Sequence, residues 1–195
     1  MPQPAPYCLT FDDGPGPSTP ALLDVLAAGS CRATFFLLGQ NLQTQLPLAA
    51  RMVRAGHVLG NHSYSHARPG AIDDAALAHE IERTDALIRA AYALAGQPAP
   101  DLIPMRLPYG PQAHDPRPAL LRRLGRPHVG WTAILDDWQR PAPAAHALCA
   151  TMRAHLAERR GALAVFCLHD ASRHGEARPA TVEAVRLLLA DPIVG

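Results

Sequence analysis

Short apolar runs alternate along the chain with longer stretches of helical spacing. The runs at residues 7–11, 33–38, 57–60, 103–106, 128–133 and 163–168 read as strands. The stretches 20–28, 46–55, 73–94, 117–124, 143–160 and 178–190 read as amphipathic helices. In the longest, Leu77, Ile81, Thr84, Leu87, Ile88 and Ala91 fall on one face. Ser18-Thr19-Pro20 predicts a helix start, with Thr19 as N-cap and Pro20 at the first helical position. Gly29 and Gly56 suit helix stops. Strand and helix in this rhythm mean βαβ units on a parallel sheet. The pattern allows either an open doubly wound sheet or a closed barrel.

No G-x-G-x-x-G follows the first strand, which argues against dinucleotide binding. The Pro-rich pieces at 98–104, 111–118 and 141–143 are short and read as loops inside one domain spanning residues 1–195. An apolar content of 48% marks a globular chain, and 5% aromatics leave its core to Leu, Ala, Val and Ile. All eighteen basic residues are Arg, scattered rather than massed, and the net charge is +1; a nucleic-acid partner is not expected. No apolar run nears the roughly 18 residues of a membrane helix. A charged motif arrives by Asp12, too early for a signal peptide. The expectation is a cytoplasmic protein if the chain is complete and an extracytoplasmic one if a leader has been removed. Oligomeric state is not legible. Cys8, Cys31, Cys149 and Cys167 form no C-x-x-C pair, so a thiolate zinc site is not expected, and Cys8 and Cys167 read as buried small hydrophobes.

Polar groups gather where the strand runs end, the edge at which parallel α/β folds collect function. Asp12 and Asp13 follow the first run, Asn61, His62 and His66 the third, and Arg106 ends the fourth. Asp136, Asp137 and Trp138 follow the fifth, and His169 and Asp170 the sixth. His62 and His66 are four apart, a spacing that on a helical turn puts two imidazoles on one face for a metal ion. A pair of surface histidines is the blander reading of that spacing alone. Adjacent carboxylates repel, but the pair in YCLTFDDGP is tolerable if a divalent cation neutralises Asp13 and a buried Arg pairs with Asp12. Asp13 is then the ligand and Asp12 a free base, with Gly14-Pro15 turning both to the rim. The remaining histidines read as surface, structural or loop residues, His174 included.

These motifs resemble those of the polysaccharide deacetylases with a NodB-type homology domain, carbohydrate esterase family 4. The matching pieces are TFDDGP (10–15), HSYSH (62–66), RLPYG (106–110), DW (137–138) and LHD (168–170), in family order. The resemblance implies a deformed (β/α) barrel with parallel strands and a metal-dependent hydrolase of acetylated sugars. It makes Asp13, His62 and His66 the metal ligands, Asp12 the catalytic base and His169 the catalytic acid. Arg106 would balance the base, Asp137 would support His169, and the Tyr109 N–H would donate to the oxyanion. Trp138 and Leu168 would shape the acetyl pocket. Family members carry an Asp three residues before Asp137, where this chain has Ile134, and commonly Pro at the position of Leu107.

The expected activity is removal of N-acetyl groups from acetylglucosamine-containing polymers such as peptidoglycan or chitin. O-deacetylation of xylan and hydrolysis of a small non-sugar amide are the alternatives within the same chemistry, and an inactive sugar-binding module the alternative outside it. One divalent ion is expected; two imidazoles and a carboxylate suit zinc, with cobalt, nickel or manganese also able to occupy such a set.

Overall fold

The structure, a computed structural model, describes residues 7–159 and 161–191. Five parallel strands form its sheet: β1 (Tyr7–Asp12), β2 (Thr34–Leu37), β3 (Val58–Asn61), β4 (Ala133–Ile134) and β5 (Ala164–His169), in the order β3-β2-β1-β5-β4. The sheet also continues beyond β3. Asn61 bridges Met105, and Met105 bridges His128. The chain then runs on from His128 to β4 on the far side of β5. Along it, Val129 N donates to Met105 O (2.7 Å) and Thr132 N to Val165 O (2.8 Å), so the ring closes as an irregular barrel. Closure is thus found where the sequence left barrel and open sheet undecided.

Among the described residues seven helices surround the ring: α1 (Thr19–Ala28), α2 (Gly39–Leu42), α3 (Leu46–Arg54), α4 (Asp74–Leu94), α5 (Arg117–Arg123), α6 (Ala145–Arg159) and α7 (Pro179–Leu189). The pairs α6–α7, α3–α4 and α1–α7 pack together. Strand alternation divides the side chains. Leu9, Phe11, Phe35, Leu37, Phe166 and Leu168 point outward into the main core with Leu22, Leu26, Met52 and Leu188 of the helices. Thr10, Asp12, Phe36, Cys167 and His169, at the alternate positions, face the barrel interior. A smaller cluster of Leu77, Ile81, Met105, Leu107, Leu120 and Leu121 seals the base of α4 and α5.

Several expectations are corrected. The runs at 103–106 and 128–133 make single bridges rather than full strands, because the closing segment leaves the ladder to follow the barrel wall. The N-cap of α1 is Ser18, and Thr19 lies inside the helix. Thr19 Oγ1 instead accepts from Gly16 N (2.8 Å) and donates to Asp170. Cys8 is exposed, because it shares the interior-facing side of Thr10 and Asp12 but lies at the end of β1 away from the rim. The sixth helix begins at Ala145, and Arg160, expected at its end, lies outside the described residues. Helix α2 is too short to show a period in sequence, yet it has a purpose. Gly39 N and Gln40 N donate to the carbonyls of Ser63 and Tyr64 (3.0 and 3.1 Å), which holds the His62–His66 loop.

Gly39 lets α2 come that close. A methyl there would overlap the half-buried Tyr64 ring and the buried Thr84 hydroxyl. Gly39→Ala is therefore expected to cost about 1–3 kcal/mol, as overpacking does, read as a lower urea midpoint. An unchanged midpoint would contradict this packing.

Candidate active site

The ends of β1, β3, β4 and β5 and the bridge segment at Met105 bring their polar residues to one rim, around a cavity of about 670 Å³. Beneath its floor, behind Asp12, lies Arg106, a fully buried side chain. Its Nη1 donates to Asp12 Oδ1 (2.8 Å) and Thr10 Oγ1 (2.7 Å). Its Nε and Nη2 donate to the carbonyls of Val129 (3.0 Å) and Gly130 (3.1 Å). Burial alone would favour a neutral Asp12, but the Arg106 guanidinium, with help from His62 and His169, outweighs it and holds the carboxyl below the usual range. The other oxygen, Oδ2, accepts a weak hydrogen bond from the Cys167 thiol (3.4 Å) and stands 3.8 Å from His62 Nε2. The Asp12 carboxylate is thus ionised with one oxygen facing the cavity.

Asp13 has the opposite character. Burial pushes its pKa up, with His62 and His169 opposing, and its Oδ1 is buried without a hydrogen-bond partner. That oxygen lies 3.5 Å from His62 Nε2 and 3.3 Å from His66 Nε2. Four donors placed about 2.0–2.1 Å from a tetrahedral ion stand about 3.3–3.4 Å apart, so these separations suit a zinc-sized cation better than direct hydrogen bonds. The tautomer fits as well. His62 Nδ1 lies 2.9 Å from the Arg106 carbonyl, which can only accept, so Nδ1 carries the proton and Nε2 a free lone pair. Burial, with the nearby His62 and His169, drives His66 down to about 3, leaving a neutral imidazole. The three residues offer donor atoms all within 4.8 Å of one another, and they fit a divalent ion.

The loop that carries the two imidazoles is not a helical turn, contrary to the reading of their spacing. Ser63 and His66 are left-handed (φ 64° and 58°), as is Asp13 (φ 71°), an uncommon state for residues with a Cβ. Local bonds hold it. Glu80 accepts from Tyr64 N, Ser65 N and Ser65 Oγ (3.1, 3.1 and 2.6 Å), and Asn61 Oδ1 accepts from Ser63 N (2.8 Å). Tyr64 packs on the outside of the loop, its hydroxyl bonded to Gln43 and its ring under Arg83.

Across the rim, Asp12 pairs in register with His169 on the neighbouring strand. His169 Nδ1 contacts Asp137 Oδ1 (2.8 Å), and its backbone N–H donates to Asp137 Oδ2 (2.8 Å), which also accepts from Thr181 Oγ1 (2.8 Å). Asp136 is exposed, so Asp137 is the partner of His169. Burial works against the imidazolium, but Asp137, then Asp13 and Asp12, raise its pKa to about 9. Below them Asp170 is fully buried and raised to about 7 by burial, and its carboxylate fills the space a side chain at Gly14 would need. That contact lets the Asp12–Asp13 turn fold flat against β5.

The Tyr109 backbone, at φ 63°, meets the cavity beside His66, and among the described residues its amide has no acceptor. Trp138 is half exposed and lines the cavity. Leu168 does not: it alternates with His169, so it is fully buried in the main core, and Cys167 and Ile134 line the wall instead. His174, read as a solvated loop residue, also lines the cavity. His128, for which the sequence named no partner, accepts from Leu107 N (3.1 Å), and burial and Arg106 lower it to about 4. Thr10, Glu80, Cys167 and Thr181 escaped the sequence reading, because nothing in a lone Thr, Glu or Cys signals its register partner.

A family model described as polysaccharide deacetylase matches residues 2–126. A chitooligosaccharide deacetylase of Bradyrhizobium sp. (strain ANU 289) is 35% identical over 176 residues, 89% of this chain and 74% of that protein. A peptidoglycan-N-acetylglucosamine deacetylase of Bacillus cereus is 40% identical over 107 residues, 54% of this chain but only 37% of that protein. Among solved structures, a family 4 carbohydrate esterase from Streptomyces lividans in complex with acetate matches with a TM-score of 0.72 at 31% identity, covering 94% of this chain and 85% of that one. With the barrel and its rim in view, the chain belongs to the polysaccharide deacetylase family of enzymes, carbohydrate esterase family 4.

Proposed function

We propose that the protein removes the N-acetyl group from acetylglucosamine units of a polysaccharide, using a divalent ion, an Asp base and a His acid. The observation that carries this reading is the pair of oppositely tuned groups at one register position. Asp12 is kept ionised by Arg106, and His169 is kept protonated by Asp137. Environments that push two titratable groups apart mark a base and an acid.

A divalent ion held by Asp13, His62 and His66 would supply Lewis acidity, lowering the pKa of water and polarising the acetyl carbonyl. The donor set suits zinc, while cobalt, nickel and manganese remain alternatives. Asp12 Oδ2 receives the proton of the attacking water, and Arg106 keeps the carboxylate ionised and so able to accept it. The Tyr109 N–H donates to the carbonyl oxygen as negative charge grows on it. His169 gives its proton to the nitrogen as the C–N bond breaks, and acetate and a free amine result. Trp138 and Ile134 flank the acetyl group, in a wall where Leu168 acts only from behind. The protonated His169 favours an amide over an ester, since an amine leaves only with a proton while an alkoxide depends on it less.

Asp12→Asn is expected to keep the bound ion and lower kcat on chitooligosaccharides by about 10²–10⁴-fold, the usual worth of a general base. Acetate release together with metal analysis checks this, and a parent-like rate would refute the assignment. A raised pKa holds the proton to higher pH, so activity should fall on the alkaline side as His169 deprotonates, at or below the value of about 9 it has without a neighbouring cation. Asp137→Asn removes the charge that raises it and should move that limb of the kcat/KM profile down by about one unit or more. A limb that stays in place would mean that another group sets it.

A further inference from the structure

The cavity wall carries more positive charge than the chemistry uses. Besides the catalytic groups it is lined by Arg68, Arg140, Arg173 and Arg178, and apart from Asp12 and Asp13 by one carboxylate, Glu176. Glu176 is shared, with Arg140 against it and Arg178 3.6 Å away. Among the described residues Arg173 and Arg68 have no acid partner. Arg173 Nε donates to the His174 ring (3.0 Å), and Arg68 lies over the Tyr109 ring at 5.1 Å. Arg178 is nine-tenths buried, with its Nε unpartnered. Asp12 is already matched by Arg106, and Asp13 would be matched by the divalent ion proposed to sit between it and its two imidazoles. The surplus is therefore uncompensated.

The wall is also built rather than loose. Three of these residues, Arg173, Glu176 and Arg178, lie on the loop that leaves β5 just after His169. Gln40 Nε2 donates to Arg173 O (2.9 Å) and Asn41 Nδ2 to Ser172 O (3.2 Å). Ser172 Oγ accepts from the amides of His174 and Glu176 (3.1 and 3.2 Å), and Ser18 Oγ from Arg178 N (2.7 Å). A guanidinium on a pinned backbone loses little freedom when it takes an anion, and its planar fork matches a carboxylate or phosphate.

We infer that Arg140 and Arg173, backed by Arg178, form an anion subsite beside the acetyl pocket, and that the substrate is an acetylated glycan carrying a negative group on the sugar at or next to the scissile acetamide. This rests on the deacetylase reading and narrows its substrate class: an acidic glycan is preferred over neutral chitin. Carboxylate and phosphate share the recognising chemistry, and the test separates them.

Acetate release by the zinc-loaded protein is measured on three oligomers of equal length: neutral acetylglucosamine, one with muramic acid carboxylates on alternate sugars, and one with sugar phosphomonoesters. The expected result is a kcat/KM about tenfold higher on one anionic oligomer than on the neutral one, carried mainly by KM and shrinking as salt rises. In Arg140→Gln/Arg173→Gln this ratio should collapse toward one. In Arg186→Gln, an exposed change on α7 away from the cavity that removes a charge, it should persist. Equal kcat/KM on all three oligomers, or a ratio lost equally in both variants, overturns the subsite. If no oligomer releases acetate, the deacetylase reading fails separately. Calorimetry on zinc-loaded Asp12→Asn then decides the subsite: tighter binding of an anionic oligomer supports it, and equal binding refutes it.

Discussion

A guanidinium with no exposed surface ties this barrel to its chemistry. Arg106 sits where the ring is least regular, between the single bridges at Met105 and the segment that runs to β4. There the ladder is interrupted, and the side chain substitutes for it by bonding the free carbonyls of Val129 and Gly130. The same guanidinium carries the charge that keeps Asp12 ionised, and the Arg106 backbone carbonyl accepts a hydrogen bond from His62 Nδ1. One residue thereby closes the wall, sets the charge of the carboxylate proposed as the base and orients an imidazole proposed as a metal ligand. Removing one partner of such a buried pair leaves a charge uncompensated, at a cost of about 3–5 kcal/mol, so neither partner can drift without a loss in stability as well as in chemistry.

Two neighbouring aspartates can then coexist because they do not share an environment. Asp12 ends a strand and points inward to Arg106. Asp13, left-handed, turns its Oδ1 toward two imidazoles. Asp170 packs under the turn at Gly14 and fixes this divergence, aided by the Thr19 hydroxyl. Across the ring the sign reverses: Asp137, gripped by Thr181 and the His169 amide, makes an imidazolium stable in a buried place. The groups proposed as acid, base and cation donors therefore meet at adjacent strand ends with their charge states already set.

Much of this was legible in the residues. The four long strands, the six amphipathic helices and the family were readable, since buried parallel strands are continuously apolar and the motifs stand at their ends. What escaped has physical causes. Apolar character at 103–106 and 128–133 reported burial, but not whether the backbone pairs. A four-residue helix such as α2 has no period to detect. The spacing of His62 and His66 suggested a helix because spacing carries no φ, and the loop reaches the same juxtaposition with left-handed residues. The family resemblance placed Leu168 at the pocket, while strand alternation sends it to the core. Thr10, Cys167, Thr181 and Glu80 gain their meaning only from register and tertiary contact. The arginines of the rim were scattered in sequence and converge only in space.

The most direct test is the titration of Asp12 itself, by carboxyl carbon-13 NMR on the metal-free protein. Because Arg106 overrides its burial, Asp12 should titrate below the ordinary carboxylate value of about 3.9, while Asp170, buried without such a partner, titrates near 7. An Asp12 resonance that titrates at or above the ordinary value would show that burial prevails over the guanidinium, and would contradict the account at its root.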